Sequence, residues 1–117
     1  LVEDDDSVRS MVVRMLSESG YRVVAARDGV EAIQLCEDDS REFQLLITDV
    51  IMPKMGGRDL AAALHSKRPL LKVLYISGYA HDGMVHRGAL EPGVTLLEKP
   101  FSKSDLLRHV RELLTSR

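Results

Sequence analysis

Cysteine is almost missing from this chain: Cys36 stands alone. One thiol excludes an internal disulfide and a cysteine zinc site, and it fits a reducing compartment such as the cytoplasm. Long apolar runs are missing too. No stretch approaches the roughly 20 residues that span a bilayer, and no signal-peptide pattern is visible. No Gly-x-Gly-x-x-Gly or Walker-type loop occurs, which argues against a nucleotide site. No Gly-x-Ser-x-Gly elbow occurs, which argues against an α/β-hydrolase. Charge of one sign is not concentrated either. A net charge of -2 leaves no electrostatic footprint for nucleic acid or an anionic membrane, so contact with either by this domain is not expected. Low-complexity tracts and internal repeats are absent.

What is present is an ordinary globular balance, with 44% hydrophobic and 29% charged residues over 117 positions. That length is one domain, residues 1–117. Leu1-Val2 opens inside what reads as a strand, and a strand this short is unusual. The expectation is therefore a fragment of a longer chain, with its first strand truncated at the start.

The hydrophobic pattern alternates between two periods. Val8, Met11, Val12, Met15 and Leu16 form a helical stripe, with Asp5, Asp6 or Ser7 available to cap it and Gly20 placed to end it. Residues 21–26 read as a second strand, and Ala32, Ile33 and Cys36 as a short helix that buries the cysteine. Residues 43–48 are the third strand. Leu60, Ala61 and Leu64 mark a helix that stops before Pro69. Residues 73–76 are the fourth strand, residues 80–91 a poorly periodic helix, and residues 94–97 the fifth strand. Ser102-x-x-Asp105 opens a last helix with Leu106, Val110, Leu113 and Leu114 on one face. The strands are apolar runs, as expected when both faces are covered. Right-handed crossovers then predict a doubly wound α/β fold, a five-stranded parallel sheet of (βα)5 flavodoxin-like type with strand order 2-1-3-4-5.

In such a fold the chemistry gathers at the carboxyl ends of the strands. Three predicted strands end there on charge: Leu1-Val2 runs into Glu3-Asp4-Asp5-Asp6, residues 45–48 into Asp49, and residues 94–97 into Glu98-Lys99-Pro100. A fourth ends at Ser77-Gly78. Glu3, Asp4 and Asp49 would form a carboxylate cluster that repels itself without a cation. Oxygen-only ligands suit a hard ion, Mg²⁺ above all, which shares substrate phosphate oxygens. Acids before a helix also serve as caps, a role that fits Asp5 and Asp6 better than Glu3 and Asp4. Asp49 by itself could be a turn residue, Lys99 a surface residue and Ser77 a strand-exit cap; the four ends in order are hard to assign to chance. His65, His81, His86 and His109 read as solvated or half-buried rather than ligating.

These residues resemble the receiver domain of two-component signalling proteins, over essentially the whole chain. Glu3-Asp4 looks like that family's acidic pair, Asp49 like its phosphoacceptor, Ser77 like its hydroxyl residue and Lys99-Pro100-Phe101 like its Lys-Pro-Phe. Met52-Pro53 with Gly57 matches the loop after the phosphoacceptor. The resemblance implies that Asp4, Asp49 and the Ile51 backbone carbonyl hold Mg²⁺, with Glu3 acting through water. It implies that Asp49 takes a phosphoryl group from a phosphohistidine, with Lys99, Ser77 and the Gly78 amide holding the transferred oxygens. The partner would be a histidine kinase dimerisation domain or a histidine phosphotransfer domain. Ile51 and Tyr79 stand at the two positions that tune phosphoryl lifetime in the family.

One departure concerns Leu96, which occupies a switch position where output-driving receivers carry Tyr or Phe. Ser77-Gly78-Tyr79-Ala80 and the fragment-like start resemble receivers of hybrid sensor histidine kinases, whose parent chains can be membrane-anchored. The alternatives are a stand-alone or DNA-binding response regulator and an unphosphorylated interaction module. A small Mg²⁺-dependent phosphatase with an Asp nucleophile would need an acid at position 51, where this chain has Ile51.

Overall fold

The computed structural model describes residues 1–38, 43–52, 54–78 and 95–115. The predicted helix over residues 80–91 lies outside these, as do Pro53, Tyr79, His81, His86 and Val94.

The first helix, α1 (Asp6–Glu18), carries the expected stripe and turns Val12 and Leu16 fully inward. Of the three candidate caps Asp5 takes the role: its backbone is extended and its Oδ1 accepts the Val8 N–H at 3.1 Å. Gly20 ends the helix at φ +93°, in the left-handed region open to glycine. The Gly20 and Tyr21 amides donate to Ser17 and Leu16 carbonyls at 3.1 Å each, the paired bonds of a Schellman turn.

Three parallel strands follow in spatial order β1 (Leu45–Asp49), β2 (Lys72–Ser77) and β3 (Thr95–Glu98). Val2 adds isolated parallel bridges to Ala26 on one side and Thr48 on the other. Laid out in sequence terms the order is 2-1-3-4-5, as predicted. The first two predicted strands appear only as bridges among the described residues. The Leu1 nitrogen donates to the Val24 carbonyl at 2.9 Å, Ala26 N–H to Leu1 and Glu3 N–H to Ala26, and the ladder stops there. Beneath Leu1 a groove of about 470 Å³ lies between Tyr21, Val23, Phe43 and Leu45.

Helices cover both faces of the sheet. On one face α2 (Gly29–Asp38) and α3 (Gly57–His65) enclose Ala32, Leu46, Leu60, Leu64 and Tyr75. On the other, α1 and α4 (Lys103–Thr115) enclose Val12, Ile47, Leu74, Leu97, Leu106 and Val110. Successive β residues alternate between the two clusters: Leu46 against Ile47, Leu74 against Tyr75. This explains why the strands read as unbroken apolar runs.

Smaller expectations hold as well. Ser102 Oγ accepts the Asp105 N–H at 3.1 Å and opens α4. Cys36 is half-buried against the α2–α3 core. His65 and His109 are half-buried, each with a ring nitrogen on a backbone carbonyl (Leu71 and Asp105) rather than at the strand ends.

Candidate functional site at the carboxyl ends of the strands

Strand register builds the site as a staircase. Asp49 is level with Ile76, and Ile76 with Leu97. Ser77 is therefore one step, and Lys99 two steps, beyond the level of Asp49 on successive parallel strands. Val2 delivers Glu3 and Asp4 to the same edge from the other side, because the Asp49 amide donates to the Val2 carbonyl at 3.2 Å. The Lys99 amide donates to the Ser77 carbonyl at 2.8 Å, which carries the chain past β2 before the cis Lys99–Pro100 peptide.

The side chains converge. One carboxylate oxygen each from Glu3, Asp4 and Asp49 lies within 4.8 Å of the others. Lys99 Nζ reaches Glu3 Oε1 at 2.8 Å and Asp49 Oδ2 at 3.2 Å. Glu3 is only 1% exposed, Asp49 7% and Ser77 1%, whereas Asp4 is open to solvent. The expectation that Glu3 works at a distance is compatible with this burial: its Oε2 accepts the Asp5 amide at 3.0 Å and its Oε1 faces Lys99. That Oε1 approach lies off hydrogen-bond geometry, so a buried oxygen is left without a hydrogen-bond partner among the described residues.

Three carboxylates face one ammonium, a formal surplus of two negative charges. The titration behaviour reflects it. Burial, then the neighbouring Glu3, pushes the Asp49 carboxyl up to about 8. Burial also pushes Glu3 upward, but the neighbouring Asp49 carboxyl, the Lys99 ammonium and the Asp5 amide outweigh it and hold Glu3 below its ordinary value. Asp4 is raised by desolvation and by Glu3. Lys99 is desolvated, which lowers it, yet the two carboxylates more than compensate and raise it. A divalent cation would supply the two missing charges, and oxygen donors with an orphaned buried acceptor fit a hard ion.

The remaining predicted positions surround this centre. Ile51 sits just past β1 with its side chain 57% exposed. Gly78 follows Ser77, with none of the described residues within 4 Å of where a side chain would start. Leu96 does not reach the cluster: it is level with Tyr75 and packs, half-buried, against the α2–α3 core. Gly57 is more tightly placed than its turn context suggested, because a β-carbon on it would stand 2.1 Å from the Asp49 carbonyl oxygen.

Two contributors were not legible as such. Thr48, fully buried, donates its hydroxyl to the Asp49 carbonyl at 3.0 Å. Arg9 donates from Nη1 to the Glu3 carbonyl at 2.9 Å. Both act on backbone, which a side-chain pattern does not reveal; the available hint for Arg9 was a cation one turn into a helix opened by four acids.

Packing and chemistry separate cleanly at β3. Leu97 is buried in the α1–α4 core, while the Lys99 side chain retains 22% exposure. Leu97→Ala should cost about 2–5 kcal/mol of unfolding free energy. Lys99→Ala should cost less, although it leaves Glu3 with an uncompensated charge. Urea denaturation of both variants checks this, and a larger loss for Lys99→Ala would mean that the ion cluster, not the apolar core, anchors the end of β3.

Comparison with known proteins agrees with the fold and the edge. Residues 1–111 match the response regulator receiver domain family. The sensor kinase CckA of Brucella abortus is 39% identical over 114 residues, covering 97% of this chain and 12% of that protein. The response regulator receiver protein CpdR of the same organism is 32% identical, covering 97% of this chain and 93% of CpdR. Among solved structures, the receiver domain of the hybrid histidine kinase CckA superposes with a TM-score of 0.81 at 38% identity, covering 97% and 95% of the two chains. The response regulator TrrA of Thermotoga maritima, solved with Mg²⁺-BeF, gives 0.78 at 25% identity, covering 96% and 94%. The chain spans about an eighth of the sensor kinase it matches and nearly the whole of CpdR. With a family match over nearly its full length, and the parallel sheet that the matched structures share, the chain belongs to the response regulator receiver domains of two-component systems.

Proposed function

We propose that this domain accepts a phosphoryl group from a phosphohistidine onto Asp49, with Mg²⁺, and passes it onward within a phosphorelay. The observation that carries the reading is the half-neutralised cluster: a buried carboxylate, 3.2 Å from an ammonium, beside two further acids. Asp4, Asp49 and the Ile51 carbonyl would hold the cation, with Glu3 behind them. When bound, Mg²⁺ supplies charge neutralisation for the phosphoryl oxygens.

The chain's own groups do the rest. Asp49 gives up the proton that burial favours, and its carboxylate oxygen attacks phosphorus in line with the histidine nitrogen. The O–P bond forms as the P–N bond breaks, and the electron pair leaves with the imidazole. Lys99 neutralises the transferred oxygens, while the Ser77 hydroxyl and the Gly78 amide donate to them. Positioning and charge supply most of the rate. Ile51, two residues after the acceptor, and Tyr79, two residues after Ser77 in the sequence, would hinder the line of water attack and lengthen the life of the acyl phosphate. The domain works in the cytoplasm in this reading; among the described residues no helix is long and apolar enough to cross a membrane.

The likeness to CckA supports a hybrid sensor kinase as the parent chain. The coverage of CpdR favours a second reading, a stand-alone receiver. The two differ in where the phosphoryl group goes. Phosphorylated domain mixed with a phosphotransfer domain bearing an unmodified histidine should lose its label to that histidine faster than to water. Label released only as inorganic phosphate would leave the relay reading without support.

Mg²⁺ should stabilise the fold, since the unfolded chain has no such site. The gain is RT ln(1 + [L]/Kd), about 2.7 kcal/mol at a hundredfold excess over Kd. Asp4→Ala should abolish it. Without metal, the native state keeps the Asp49 proton up to about 8, whereas the unfolded chain releases it near the ordinary 3.8. The native state then binds more protons between those values, so metal-free stability should fall as pH rises through that window and flatten above it. Thermal melts across pH, with and without Mg²⁺, check both points. An equal Mg²⁺ shift in wild type and Asp4→Ala would place the cation elsewhere.

A further inference from the structure

We propose that Arg9 is a positioning residue for the acidic turn, holding Asp4 where it can meet a cation. This rests on the Mg²⁺ reading above. Arg9 lies one turn into α1, and its guanidinium spans the junction between the first strand and that helix. Nη1 donates to the Glu3 carbonyl at 2.9 Å, and Nη2 pairs with the Asp6 carboxylate. The Arg9 side chain is 18% exposed and Asp6 84%, so the fork reaches from a sheltered stem to a solvated anchor.

Glu3 is fixed from three directions. Its amide donates to the Ala26 carbonyl, its Oε2 accepts the Asp5 amide, and its carbonyl accepts from Arg9. The Glu3–Asp4 peptide plane is thereby set at one end by the sheet and at the other by α1, whose cap is Asp5. Asp4 sits between these anchors with its own side chain in solvent. It is the least buried of the three acids, and its carboxylate depends on the backbone to face Asp49. Groups that orient metal ligands in this way typically change affinity by about tenfold or more when removed.

The sign of the effect separates this role from simple electrostatics. A cation close to the acidic turn repels Mg²⁺, so removing the Arg9 charge alone should tighten metal binding. Removing a positioning group should weaken it.

Two substitutions divide the contributions. Arg9→Met keeps the apolar stem but loses both charge and donors. Arg9→Lys keeps the charge and one donor but loses the fork that spans Glu3 and Asp6. Mg²⁺ titrations followed by thermal shift give Kd and the metal-free melting temperature for each. We expect Kd to rise about tenfold in Arg9→Met and by less in Arg9→Lys. An unchanged or tighter Kd in Arg9→Met, with wild type binding normally, overturns the role of Arg9 and leaves the metal reading intact. A lower metal-free melting temperature at constant Kd also overturns it, because that is the mark of structural support alone. Should Arg9→Met not fold, Arg9→Lys decides alone: a raised Kd at an unchanged metal-free melting temperature supports the proposal, and an unchanged or lower Kd overturns it. A wild-type chain that gains nothing from Mg²⁺ defeats the metal reading itself.

Discussion

Asp49→Asn should abolish phosphorylation outright. Acetyl phosphate with Mg²⁺ should give the wild-type chain a hydroxylamine-sensitive phosphoryl group, and the variant none. The physical grounds are chemical and local. An amide has no carboxylate oxygen to form the acyl phosphate, and among the described residues no other acid shares the position of Asp49 between Lys99 and the Glu3–Asp4 turn. The fold should survive, because the substitution preserves shape and replaces a carboxyl that burial and Glu3 already hold protonated up to about 8. Asp49→Asn is therefore expected to melt at or above the wild-type temperature in metal-free buffer. Label that persists on the variant would move the acceptor to another acid of the cluster, Glu3 or Asp4.

Gly57→Ala carries the second large effect. A β-carbon at this position would stand 2.1 Å from the Asp49 carbonyl oxygen and 3.2 Å from the Val50 α-carbon. Both are backbone atoms in the segment that presents the acceptor, so the start of α3 and the end of β1 must move apart. The Gly57 amide also donates to the Val50 carbonyl at 2.8 Å, and that bond would stretch with them. The overpacking should cost about 1–3 kcal/mol of stability. The chemical cost should be larger, since a displacement near 1 Å at a reacting group can lower a rate by about a hundredfold. Stopped-flow phosphorylation and denaturant melts on the same sample separate the two. A stability loss with an unchanged rate constant would show that the β1–α3 junction relaxes without carrying Asp49 along.

Much of this was legible along the chain. The apolar runs, the stripe of α1, Gly20 and the Ser102 cap are local signals, because helix and strand periods and turn chemistry are written within a few residues of one another. The acids and the lysine at strand ends were legible for the same reason: an apolar run that stops on a charge marks where a buried strand meets water. The order of the strands also followed, since right-handed crossovers leave few ways to wind alternating elements into one sheet.

Other features needed the third dimension. That Glu3 is fully buried and bound to Lys99, while its neighbour Asp4 is open, depends on the path of the chain out of Val2, which residue type does not encode. The carboxyl of Asp49 rises to about 8 because burial and Glu3 act on it together, a sum over residues 46 positions apart. Sequence by itself determined the described helices, the parallel strands and the charged groups that end them. Tertiary structure alone decided which acid keeps a proton, which backbone must remain bare of a β-carbon, and that Arg9 grips the acidic turn, because these are distances between segments that meet only when the sheet is assembled.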